Sequence, residues 1–485
     1  MKPLPAELIA AEDTATGRSV PWALVSLSLS MLLASLGTSI ANVGLPTLAQ
    51  AFNASFQHVQ WVVVAYLLAI TTLIVSVGRL GDLIGRRRLL LAGIVLFTVA
   101  SALCGLAPTL GLLIAARVAQ GLGAAVMMAL TMACVGEAVP KSRTGSAMGL
   151  LGTMSAIGTA LGPTLGGVLI GGFGWPAIFH VMVPLGVLTL VLAHRFLPAD
   201  RRAAPAERIA FDHVGTVLLG LTLAAYALAM TTGRGNFGLL NIVLLLTAIV
   251  GVAIFAIAET KVSAPLIRMA MFRNPVLSAG FITSALVTTV VMATLVVGPI
   301  YLFGALALDP ARIGLVMSTG PIVAALAGVP AGRLIDRFGS HGMTLLGLGA
   351  MAAGSAILPL VPIRFGILGY IAPLVVITAG YAFFQAANNT AVMTTVESTR
   401  RGVASGMLNL SRNLGLITGA SVMGALFAHG SATSDAATGS PEAVAAGMRT
   451  TFAVGATLIV IAIAMAWVSR VMARRLVAEN GSNRA

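Results

Sequence analysis

Two short runs of this sequence place an acid, bases and glycines at fixed spacing. The first reads Gly78-Arg79-Leu80-Gly81-Asp82-Leu83-Ile84-Gly85-Arg86-Arg87-Arg88, and the second Gly332-Arg333-Leu334-Ile335-Asp336-Arg337-Phe338-Gly339. Both follow Gly-Arg-Leu-x-Asp-x-x-Gly, 254 residues apart. Glycines permit a tight turn and the close approach of two helix ends. A carboxylate beside them can face the positive N-terminal end of a neighbouring helix, or a nearby arginine. Such a contact would hold two helix ends together in one conformation and release them in another. That makes Gly78, Asp82, Gly85, Arg86, Gly332 and Asp336 the candidate latch residues; the plainer alternative is that Asp82 only caps a helix.

A second group of residues lies inside apolar runs. Arg117 falls about eight residues into one of them, or ~12 Å at 1.5 Å per residue. A charge near a bilayer centre costs at least ~2.5–3.5 kcal/mol, so intramembrane ionisable groups tend to be functional. Arg117 should then face a partner or a watery cavity, unless its side chain snorkels to the interface. Arg412 lies among Asn409, Ser411 and Asn413, and either anchors a gate or binds helix-end carbonyls or lipid phosphate. Gly158, Gly162 and Gly166 recur every four residues and line one helix face. Pro163 within that run removes a backbone donor and bends the helix. The face is suited to sliding, or is ordinary small-residue packing of membrane helices.

These residues must be positioned by membrane-spanning helices. Of 485 residues 58% are apolar and only 9% charged, with a mean hydropathy of +0.98. Soluble chains carry about 25% charged residues, so a soluble enzyme, a disordered chain and a nucleic-acid-binding domain are excluded. The apolar runs are long and uninterrupted, unlike the alternating segments of a transmembrane barrel. The two cysteines, Cys104 and Cys134, both sit in apolar runs and imply no disulfide framework. The first twenty residues are polar and mixed in charge, unlike a signal peptide.

A span needs roughly 20 apolar residues, and the chain offers fourteen such runs. Placing the N-terminus in the cytoplasm puts twenty-three Lys and Arg in inner segments and four in outer loops, with Arg117 and Arg412 inside spans. Twelve acids sort inward and three, Asp309, Asp435 and Glu442, outward. The net charge of +14 is thus an orientation signal, not a nucleic-acid footprint. The predicted organisation is a cytoplasmic segment 1–20, a six-helix bundle 21–197, a linker 198–212, two inserted helices 213–258, a linker 259–274, a second six-helix bundle 275–470 and a cytoplasmic tail 471–485. The repeated loop falls at matching places in both bundles, the internal duplication expected of a transporter whose halves rock about a central site.

On these residues the chain resembles the major facilitator superfamily, and within it the fourteen-span drug:proton antiporter family. The repeated loop resembles the superfamily's hallmark. Arg117-Val118-Ala119-Gln120-Gly121-Leu122-Gly123-Ala124-Ala125 is similar to a second family motif. Gly149, Gly158, Gly162, Pro163, Gly166 and Gly167 reproduce the superfamily's antiporter pattern. Asp212-His213-Val214-Gly215, Asn388-Asn389 and Arg401-Gly402-Val403-Ala404-Ser405-Gly406 extend the likeness over nearly the whole chain. The resemblance implies an all-α fold of two six-helix bundles plus two inserted helices, and a role for Arg117 in proton transfer or in responding to it.

The chain departs from the family in its first span. There the family usually carries an acid, and here the run is Leu36-Gly37-Thr38-Ser39-Ile40-Ala41-Asn42. Coupling would then be weak, or carried by Arg117, by Asp82 at the rim or by an outer histidine such as His180. His180 and His58 also read as structural interfacial residues. Without a central anion, multiply charged cations should be poor substrates. The expected cavity is apolar with Ser35, Thr38, Ser39, Asn42, Gln120, Gln385, Asn388 and Asn389 as polar candidates, joined by Thr288 and Thr289.

The sequence therefore predicts a bacterial cell-membrane exporter of small hydrophobic or amphipathic compounds, working as a monomer by alternating access, with protons as a possible second substrate. A metabolite importer or a lipid exporter on the same fold is the alternative. No nucleophile–His or metal-ligand constellation is present in the sequence, so an enzyme, a bound metal and a cofactor are not expected.

Overall fold

The computed structural model describes residues 6–54, 56–140, 143–200, 212–231, 238–262, 265–308, 310–397, 400–431 and 440–482. The linker arginines Arg201, Arg202 and Arg208, and Lys141, Arg234, Asp309 and Asp435, lie outside the described residues, as do the side chains of Asn42, Glu137 and Pro163.

Among the described residues the chain is helical, in the order α1 (Ala6–Ala51), α2 (Phe56–Ile84), α3 (Arg86–Gly105), α4 (Leu110–Ala138), α5 (Thr144–Phe173), α6 (Ala177–His180), α7 (Met182–Phe196), α8 (His213–Thr231) and α9 (Leu239–Lys261). There follow α10 (Pro275–Gly304), α11 (Pro310–Met317), α12 (Thr319–Phe338), α13 (Ser340–Ile357), α14 (Gly366–Thr395), α15 (Arg401–Ser431) and α16 (Pro441–Ser482). The pairs α6–α7 and α11–α12 each make one span, interrupted at Val181 and Ser318. Among the described residues, thirteen spans are long and apolar enough to cross a membrane. The remaining long helix of the two bundles is α5, thirty residues with nine glycines, which packs along α1 and α12.

The duplication is visible in the packing. Within the first half α1 packs on α5 and α7, α3 on α4 and α7, and α2 on α4. Within the second, α10 packs on α15 and α16, α13 on α14 and α16, and α12 on α14. One apolar core, around Leu27, Met31, Phe97 and Phe179, fills the first half and continues across the interface to Val403 and Leu408, and a second, around Val290, Tyr370, Phe384 and Phe452, lies within the second half. The halves meet where α2 crosses α15 and α5 crosses α12. The inserted α8 leans on both α2 and α15, and α9 packs on α8. On α9, Leu239, Leu246, Ile249 and Val252 point outward, exposed as a lipid-facing helix requires.

Local chemistry sets the ends that matter. Thr109 caps α4 by accepting the Leu112 N–H at 3.4 Å, and Asn274 caps α10 ahead of Pro275. The last glycine of each repeated loop, Gly85 and Gly339, has φ of 109° and 83°. Only glycine adopts these values without strain, which is why both copies of the loop end on one. The turn lets α3 and α13 start immediately and puts Asp82 and Asp336 at the same end of the bundle, here called the basic face.

Candidate functional site

At the basic face two carboxylates cross the interface in opposite directions. Asp82, near the end of α2, accepts the Gly402 N–H through Oδ1 at 3.0 Å and the Val403 N–H through Oδ2 at 3.2 Å. These are free donors in the first turn of α15, where the helix dipole favours an anion. Asp336, near the end of α12, accepts the Gly145 N–H at 2.8 Å and the Ser146 N–H at 3.0 Å in the first turn of α5. Asp82 therefore does more than cap its own helix.

The two sites differ in how their charge is balanced. Arg86 Nη2 donates to Asp82 Oδ1 at 2.8 Å and Arg86 Nε at 3.0 Å, with both side chains nearly excluded from solvent. The residue 254 positions on from Arg86 is Ser340, which offers no charge. Asp336 instead accepts a hydroxyl from Ser146 at 2.5 Å.

Glycines bring the helix backbones together beside these carboxylates. A Cβ on Gly78 would overlap the Gly402 carbonyl, and one on Gly332 would lie 2.6 Å from the Gly145 carbonyl oxygen. One turn further on, a Cβ on Gly149 would overlap the Gly328 carbonyl, and one on Gly406 would meet the Ile74 oxygen at 2.7 Å. Gly145–Gly402 and Gly149–Gly406 are each 257 residues apart, so these are the same contacts in the two copies.

The rest of the antiporter-pattern glycines do not serve that interface. Gly158 and Gly162 pack against Leu32, Ser35, Ser39 and Ile40 of α1, within the same half. Ser39 Oγ donates to the Gly158 carbonyl at 3.2 Å. Gly166 is buried, and Gly167 faces open space with nothing within 4 Å of a Cβ. Gly158 and Gly162 thus seat α5 on α1, while Gly149 meets the other half.

Arg117 is fully buried in the first half. Its Nε donates to the Val62 carbonyl at 2.8 Å, Nη2 to the Gly37 carbonyl at 3.0 Å, and Nη1 to Gln120 Oε1 at 2.5 Å. The guanidinium lies 4.0 Å from the centre of the Tyr66 ring, an arrangement that stabilises a desolvated cation. It does not snorkel, and no carboxylate accompanies it among the described residues. Gln120 belongs to the same network, donating to Ser101 Oγ at 2.7 Å. It was expected in the cavity; its bonds to Arg117 and Ser101 hold it in the core of the half instead. Tyr66 fills the space beside Gly37: a Cβ there would lie 2.7 Å from the Tyr66 hydroxyl oxygen. That hydroxyl donates to the Ala34 carbonyl at 2.7 Å.

Several other candidates are partnered within their own helices or halves. Thr38 bonds back to Ala34, Thr288 to Ser284, and Asn388 Nδ2 donates to the Gly280 carbonyl at 2.9 Å. His180 is exposed and lies against Gly105, at the rim of α3, away from both carboxylate crossings. Gln385, Asn388, Asn389, Ser284 and Arg412 line a cavity of about 10 Å³ between the halves, room for about one water. Arg412 Nη1 donates across the interface to Ser155 Oγ at 3.0 Å, so it binds neither helix-end carbonyls nor the membrane surface through that nitrogen. A larger cavity of about 380 Å³ opens beside the basic face, lined by Thr144, Met148, Met393, Glu397 and Arg401.

Three further contacts are ones that no motif singled out. Arg401 Nη1 donates to the Gly136 carbonyl at 2.8 Å, tying α15 to the end of α4. Asn409 Nδ2 donates to the Met128 carbonyl at 3.2 Å. Asp200, after α7, accepts the Arg87 and Arg88 N–H groups at 2.9 and 3.2 Å and caps α3. An acid shortly after a span, opposite a tri-arginine helix start, was the available signal for Asp200.

Two six-helix halves, two inserted helices and paired crossings at one end define a multi-pass helical membrane transporter. The model of the Major Facilitator Superfamily matches residues 27–420, and again 281–483. The chain belongs to that superfamily. It is 29% identical over 405 residues to the riboflavin transporter RibZ of Clostridioides difficile, covering 84% of this chain and 88% of that one. It is 32% identical over 416 residues to the multidrug resistance protein Stp of Mycobacterium tuberculosis, covering 84% and 75%. The crystal structure of the human organic anion transporter MFSD10 superposes with a TM-score of 0.65 at 15% identity, over 93% of this chain and 99% of that one. That last likeness is one of fold.

Proposed function

We propose that the protein exports small hydrophobic or amphipathic compounds across a bacterial cell membrane by alternating access, coupled to the proton gradient. The basic face is cytoplasmic in this reading, with both termini on the same side. The observation that carries it is the pair of carboxylate-to-helix-start crossings at one end of the interface. Each joins the two halves through a few hydrogen bonds that lie at the surface end of a helix, so they can break without unfolding either half. With both made, the cytoplasmic end is shut; with both broken, the halves can rock open toward the cytoplasm. The likeness to Stp supports a drug-type substrate.

A narrower substrate range is the second reading, favoured by the comparable likeness to RibZ. Proteoliposomes with an imposed pH gradient, loaded with a panel of an aromatic cation, a neutral dye and riboflavin, distinguish the two. Efflux of several unrelated compounds supports the first; saturable flux of one alone supports the second. Absence of flux for the whole panel, from protein shown to be folded, contradicts both.

A further inference from the structure

Two carboxylates outside the crossings have an arrangement of their own. Asp212, just ahead of α8, and Glu259, in the last turn of α9, are only 8% and 4% exposed. They converge on Gly215, where a Cβ would overlap both Asp212 Oδ2 and Glu259 Oε1. Each carboxylate has one satisfied oxygen. Asp212 Oδ1 accepts the Gly215 N–H at 2.7 Å, and Glu259 Oε2 accepts the Ile267 N–H at 3.1 Å. The other two, Oδ2 and Oε1, are buried without a hydrogen-bond partner.

Among the described residues, no cation forms an ion pair with either carboxylate. Lys261, Arg268 and Arg273 on the segment after α9, and His213 beside Asp212, are exposed. On α2, which packs against α8, the half-buried Arg79 has Asp82, Arg268 and Arg400 as its electrostatic neighbours. On α15, the other helix against α8, Arg401 is committed to Gly136 and Arg412 to Ser155. Two buried carboxylates cannot both ionise against one another. Two unpartnered carboxylate oxygens aimed at one space can be joined by a single proton in an O–H···O hydrogen bond. A metal ion would need more oxygens than these two, and no group of three or more His, Cys, Asp or Glu is assembled among the described residues.

We propose that Asp212 and Glu259 hold one proton between Oδ2 and Oε1, a proton-binding site built by the two inserted helices. With the proton in place, an O–H of one acid donates to the other and ties the start of α8 to the end of α9. Glu259 also carries the Leu266–Ile267 segment that leads into α10, so the second half is hung from the same pair. Loss of the proton leaves two facing anions and pushes the base of the helix pair apart. Gly215 is required because any side chain there would occupy the space the two oxygens share. The site goes beyond the transport reading and does not depend on any substrate.

Infrared spectroscopy of the full-length protein in lipid tests it. At neutral pH the wild type should show a protonated-carboxyl C=O band that shifts in heavy water and disappears on raising the pH. Asp212→Asn and Glu259→Gln should each abolish it, because each leaves a lone acid free to ionise or removes the shared partner. Absence of a titrating band in the wild type overturns the proposal, even where a variant fails to fold. So does a band that survives in either folded variant.

Discussion

Asp82 and Asp336 stand 254 residues apart in the chain and hold the same position in opposite halves, each accepting two backbone N–H groups from the first turn of a helix in the other half. The duplication therefore produces two crossings at one face, related by the symmetry of the fold and differing in two residues, Arg86 against Ser340 and Ser146 against Val403. Arg86 pairs with Asp82, and Ser146 bonds Asp336.

That difference sets the order of effect for neutral substitutions. Asp82→Asn gives up a dipole contact worth ~0.3–1 kcal/mol and the ion-paired hydrogen bonds from the buried Arg86, a charged-group contact worth ~1.5–3 kcal/mol. Asp336→Asn gives up only the first. Flux in proteoliposomes should fall at least about tenfold for Asp82→Asn, since ~1.4 kcal/mol is tenfold in a rate, and only a few-fold for Asp336→Asn. Equal, mild losses would show that Arg86 does not matter to the crossing.

The glycines make a sharper contrast, because neighbours in one motif have opposite surroundings. Gly149→Leu would drive a side chain into the Gly328 backbone, and Gly406→Leu one into Ile74. Both should abolish closure and reduce flux strongly at normal expression. Gly167→Ala, pointing into open space, should transport like the wild type. A loss at Gly167 would mean the motif acts through a surface other than the described interface.

Gly37 is where this chain departs from its apparent relatives, and its space is already taken. Gly37→Asp alone would collide with Tyr66, whose hydroxyl oxygen lies 2.7 Å from the new Cβ. Its expression and melting temperature should both drop. Combining it with Tyr66→Leu should recover both, since the smaller side chain leaves room for a carboxylate near Arg117, whose Nη2 already reaches the Gly37 carbonyl. Flux in the double variant should depend more steeply on the pH gradient. No recovery on adding Tyr66→Leu would contradict the steric account.

Arg117 reads as a structural cross-brace as well as a functional charge. Three of its nitrogens bind α2, α1 and α4 at once. Arg117→Ala should lower the melting temperature by several degrees and impair transport more than Arg412→Ala. Arg117→Lys should recover little, because an ammonium cannot reach three separate acceptors as the guanidinium fork does. Full recovery by lysine would reduce the site to a bare charge.

The sequence made the spans, the duplication and the carboxylate-to-helix-start contact legible, because each depends on local composition or on a repeated pattern. Which helix Asp82 meets was not legible, since α15 lies 320 residues away in the chain. Gln120 illustrates the other limit. A polar residue in an apolar run faces either a cavity or a buried partner, and only the fold shows that Arg117 and Ser101 are within its reach. The space beside Gly37 likewise depends on Tyr66, a residue from another helix that no motif singled out. Arg412 was read from its neighbours in sequence, whereas its partner, Ser155, lies across the interface.

The two crossings hold the basic face shut in this conformation. Spin labels at Arg143 and Arg337, both exposed beside the α5–α12 crossing, report the separation of the halves by double electron–electron resonance. Cys104 and Cys134, which are buried and in no disulfide, are replaced first. In lipid the background protein should show a dominant short distance. Asp82→Asn combined with Asp336→Asn should move the population to longer distances without loss of fold. An unchanged distance distribution in that double variant would contradict the claim that these carboxylates close the face.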